Sequence, residues 1–217
     1  MEYAEAKREL LRHAGIAEDY YEFGFTGCLR PYSGLREDNF HRVVESMISI
    51  AQVASRSLVI ERSVGQAVCT ITVYSRQWGI VDGGMLVRNR LISADDRNRL
   101  RRWVGIIEDL MLDMFAGRKA HESIHGYCEY VAAFNWGDNF AFFIPLLAEA
   151  IDGDDIGDRL QGHCAAIAKL GSNGRDVADS LARAKERNWN WYEPHDRCAA
   201  EMRVYIQRAL DMIGAQH

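Results

Sequence analysis

His121, Glu122 and His125 stand in the order H-E-x-x-H. On a single helix that spacing puts two imidazoles one turn apart. They can hold a zinc ion there, with the glutamate beside the metal-bound water as general base. Such a site needs a third protein ligand. The sequence offers Glu149, 24 positions after His125, with Glu129 and His163 as further candidates.

The stretch His121-Glu122-Ser123-Ile124-His125 resembles the zincin metallopeptidases, over those five residues only. The resemblance implies zinc held by His121, His125 and Glu149, with Glu122 activating water for hydrolysis. The longer metzincin pattern is not met, because Cys128 and Val131 stand where it has glycine and histidine. The same residues also read as packing. His121, Ile124, Cys128 and Val131 then form the buried face of a helix, with the histidines at its border.

A second chemistry lies in the charge. Residues 121–160 hold eight acids and one base, Arg159, a net of −7. Five of those acids are Glu149, Asp152, Asp154, Asp155 and Asp158. Solvated helix ends account for such a run. An acidic face that steers a basic protein partner accounts for it as well. The run is not a calcium loop. Counted from Asp152, Ile156 and His163 occupy positions where an EF-hand places ligands. Arginines gather upstream (Arg88, Arg90, Arg97, Arg99, Arg101, Arg102), but no nucleic-acid-binding motif accompanies them.

The elements that must position these residues read as helices. Residues 2–13 have helical spacing and stop at Gly15. Phe40, Val43, Val44, Met47, Ile48 and Ala51 predict a core helix over 38–57. Residues 61–79 fit a helix, although 66–74 is rich in strand-favouring types. Ser93 followed by Asp95 and Asp96 caps a helix that reaches Phe115. One helix is expected over 119–134, carrying both histidines. The stretch 139–151 is apolar nearly all round, with Pro145 as a kink or a late start. Helices at about 155–170, 175–188 and 194–213 complete an all-α bundle of about eight to nine helices with short loops. The expected organisation is one helical domain over 1–217, with 15–36 as an aromatic, glycine-rich covering loop. Asn188 to Tyr192 reads as an aromatic loop between helices.

Composition sets the remaining bounds. The formal charge of −5 argues against sequence-independent binding to nucleic acid or anionic membrane. No apolar run reaches membrane-spanning length, and the first residues carry no signal-peptide pattern. Five scattered cysteines without a C-x-x-C point to free thiols in a reducing cytoplasm. Arginine far outnumbers lysine, the bias of a GC-rich bacterial genome. Two functions are consistent with all of this. One is a cytosolic helical binding protein of the inhibitor or immunity type, which needs no cofactor and presents the acidic face at 121–160 to a basic protein. The alternative is a zinc-dependent hydrolase built on 121–125.

Overall fold

Ser93 begins the longest helix as its side chain demands: its hydroxyl accepts the Asp96 backbone N–H at 3.0 Å. The computed structural model describes residues 1–19, 22–56, 59–153, 159–187 and 196–214, and the side chains of all of these except 196–199. The helices are Tyr3–Ala14 (α1), Glu37–Ala54 (α2), Arg62–Ser75 (α3), Met85–Arg88 (α4), Ala94–Phe115 (α5) and Ala120–Ser123 (α6). They continue as His125–Ala133 (α7), Ile144–Gly153 (α8), Leu160–Leu170 (α9), Ala178–Glu186 (α10) and Asp196–Ile213 (α11). Among the described residues there is no strand, only an isolated bridge between Leu29 and Tyr32. The expected all-α class is therefore observed. None of the described helices is long and apolar enough to cross a membrane.

The chain divides into two compact units, Met1–Ser123 and Ile124–His217. In the first, α1, α2, α3 and α5 bury Leu10, Phe40, Val44, Ile48, Val68 and Leu100. Trp103 on α5 stacks on Phe40 of α2, with ring centroids 5.1 Å apart and planes 4° from parallel. Gly15 ends α1 in the left-handed region at φ 71°, a conformation glycine adopts without strain. The covering loop packs inward through Phe25, Cys28 and Leu29, and Phe25 reaches Trp103 at 6.1 Å. Its Phe23 stays exposed under the Arg36 guanidinium. Tyr20 and Tyr21 lie outside the described residues.

The ambiguous stretch 61–79 is helical. Buried Val64, Ala67, Val68 and Ile71 follow one stripe, which overrides the local strand preference. The helix passes into a π-turn over Arg76–Ile80. Tyr74 stacks on Trp78 across this junction at 4.6 Å, and Arg76 clamps Glu108 of α5 with two hydrogen bonds.

In the second unit, α9 lies against α7 and α11, and α10 against α8 and α11. Tyr127, Trp136 and Phe143 pack ring to ring near the start of α8. The Trp136 indole N–H donates to the Ala166 carbonyl at 3.0 Å. Pro145 marks a late start: Phe140–Phe143 is a 3-10 turn, and α8 begins one residue before the proline. At the first turn the missing N–H has no intrahelical acceptor to lose. The helix expected from about 155 begins at Leu160, and the one expected from 175 begins at Ala178 after a 3-10 segment. The aromatic loop 188–192 lies outside the described residues.

Candidate functional site

The H-E-x-x-H stretch falls on a helix break. α6 is a single turn ending at Ser123, Ile124 is not helical, and α7 begins at His125. The one helix expected over 119–134 is therefore two. Ile124 is fully buried, so tertiary packing outweighs the helical propensity of its neighbours. His121 and His125 belong to different helices, with Ile124 between them in the right-handed helical region at φ -79° and ψ -4°. His121 and Glu122 are partners in sequence and in space, with Nε2 3.9 Å from Oε1.

His125 has different neighbours in its own unit. Its Nε2 lies 3.3 Å from Glu129 Oε1, one turn along α7. Its ring meets the ring of His163 on α9 edge-on, with centroids 5.8 Å apart and planes at 86°. Gly162 makes room for both partners. A Cβ there would stand 3.3 Å from Glu129 Cγ and 3.5 Å from His125 Cε1. The buried Nδ1 of His125 has no hydrogen-bond partner among the described residues. Thus Glu129 and His163 are brought to His125, while Glu149 occupies an exposed position on α8. Among the described residues no three His, Cys, Asp or Glu side chains form a group able to hold a metal ion.

Within the acidic segment, Asp152 is tied into the fold by side chains of a neighbouring helix. Asp152, at the end of α8, accepts from Arg183 Nη2 at 2.6 Å and from Ser180 Oγ at 3.0 Å, both on α10. Arg187 donates to the Asp152 backbone carbonyl at 3.0 Å. The Arg183 guanidinium, with Ser180 in support, holds the Asp152 carboxyl below its usual range, against the opposing effect of partial burial. Glu149 is exposed three residues earlier. Asp154, Asp155 and Asp158 lie outside the described residues.

The role of α10 was not visible in the sequence pattern. Arg183 and Arg187 recur one turn apart and both reach Asp152, but Asp152 is 31 residues from Arg183. Only the i,i+4 arginine repeat could have drawn attention to it. No family model, curated protein or solved structure matches this chain.

Proposed function

We propose that this chain is a helical binding protein that captures a basic protein partner through the acidic segment at 149–158, as an inhibitor or immunity-type protein does. The observation that carries the reading is the clamp on Asp152. Arg183, Ser180 and Arg187 tie Asp152, at the end of α8, to α10 and the residue that follows it. Asp152 is then the anchor. Contact with the partner falls to Glu149, Asp154, Asp155 and Asp158. Clustered carboxylates raise the encounter rate with a basic surface. The zinc-dependent hydrolase keeps less support, because its two histidines sit on separate helices.

The test reverses Glu149, Asp154, Asp155 and Asp158 to lysine and leaves Asp152 in place. Immobilised wild-type protein should retain a basic protein from a lysate of the source cell at physiological salt, and the reversed protein should not. Equal retention by both would sink the acidic-face reading.

A further inference from the structure

Within the second unit, α7, α9 and α11 line a half-open cleft of about 310 Å³. Its volume lies at the lower end of the range for small-molecule sites, about 300–1,000 Å³. Ala132, Ala165, Ala168 and Ala209 leave the space open, one or two from each helix. Met212 adds an adaptable apolar wall, and Cys164 lies at the buried side.

The charge on the border is one-sided. Lys169 and Arg208 both line the cavity, both are exposed, and no acid among the described residues lines it with them. Neither cation makes a hydrogen bond or ion pair with any described residue. Arg76, Arg97, Arg99 and Arg183, by contrast, all bind carboxylates. Two unspent cations over an apolar space complement a molecule with an anionic head and an apolar body. A guanidinium and an ammonium together suit a carboxylate, the first as a planar fork and the second as a point charge. Half-buried Tyr205 and exposed Gln161 supply further polar groups at the border.

We propose that this cavity binds a small amphipathic anion, a monocarboxylate with an unbranched apolar chain of medium length. The proposal does not depend on the protein-capture reading. A long acidic helix fits it less well, since a stable protein interface buries far more surface than a cavity of this size offers.

Titration of the full chain with decanoate by calorimetry tests the proposal, with decanol and decyltrimethylammonium as neutral and cationic counterparts. Decanoate should bind saturably, about tenfold tighter than decanol, the amount expected of one charge-assisted contact. The K169Q/R208Q variant should lose that preference. Both positions are exposed, so its circular dichroism should match wild type. A165F, at an exposed lining position, should weaken decanoate and decanol alike by filling the space. The proposal is overturned by absence of saturable decanoate binding, by equal affinity for decyltrimethylammonium, or by undiminished decanoate binding in both variants.

Discussion

Asp152 and Arg183 join α8 to α10 through a two-pronged contact, with the guanidinium Nε 3.2 Å from Oδ1 and Nη2 2.6 Å from Oδ2. The pair is partly solvated, so water screens much of its attraction. Asp152→Ala also strips Ser180 of its carboxylate acceptor. The expected cost is about 1 kcal/mol, read by urea denaturation. The pH dependence has a fixed sign. The carboxyl pKa is lowered in the folded protein, so the stabilisation is present above the unfolded value of about 4 and fades as pH falls through the folded value. The Asp152→Ala protein should therefore lose less stability than wild type on acidification below about pH 4.

His13 sets a second pH response, in the first unit. Its ring is almost wholly buried, and Nδ1 accepts the Phe25 backbone N–H at 3.2 Å. Burial lowers its pKa to about 4, helped by the Arg12 and Arg42 charges and opposed by Glu9. The imidazole stays neutral in the fold and takes a proton when the chain unfolds. Stability is thus complete above the ordinary histidine value of about 6.5 and falls as pH drops toward 4. A shift of this size corresponds to about 3 kcal/mol. Denaturation midpoints measured at several values between pH 7 and 4 should decline. His13→Gln should flatten that part of the decline.

Much of the helical frame was legible because long apolar stripes leave few alternatives. The Ser93 signal specifies α5 almost to the residue, and the stripe in α2 specifies that helix to within three residues at its end. The interruption at Ile124 was not legible. No proline precedes it, and Ile124 leaves the helix while fully buried in packing that no local pattern records. The candidate sites divide in the same way. Glu129 is one turn from His125 and could be read from spacing, whereas the packing of the two imidazoles depends on how α7 meets α9. The cavity is less legible still. Lys169 and Arg208 are 39 residues apart, and the alanines around them are ordinary helix residues until three helices converge.

Two adjacent glycines give a controlled comparison. A Cβ on Gly84 would lie 2.7 Å from the carbonyl oxygens of Gln77 and Trp78 and 2.9 Å from that of Val81. Backbone cannot yield as a side-chain tip does. Gly84→Ala should cost about 1–3 kcal/mol, the usual penalty of overpacking. A Cβ on Gly83 meets nothing within 4 Å. Gly83→Ala should change stability by no more than about 1 kcal/mol, in the favourable direction, by restricting the unfolded chain. Thermal melts of the two variants side by side make the measurement, and equal losses would contradict the geometry.

Trp103 should be the costliest single truncation in the first unit. It is buried between Phe40 and Phe25, and Trp103→Ala is expected to lose about 3–5 kcal/mol. Trp103→Phe should recover a substantial part of that loss. The indole N–H has no hydrogen-bond partner among the described residues, so its removal forfeits packing volume and no hydrogen bond. Chemical denaturation followed by far-UV circular dichroism separates the two variants.

The π-turn at Arg76–Ile80 amounts to one residue more than an α-helix needs over the same span. Each α-helical residue advances the chain by about 100°, so that surplus sets the phase at which Val81 and everything after it leaves the helix. Loss of one residue within α3 would swing Val64, Val68 and Ile71 out of a common stripe. Loss of one residue inside the π-turn would return it to ordinary winding and leave the stripe before it intact. The chain therefore carries, next to an unforgiving core helix, one place where its length is adjustable by a single residue.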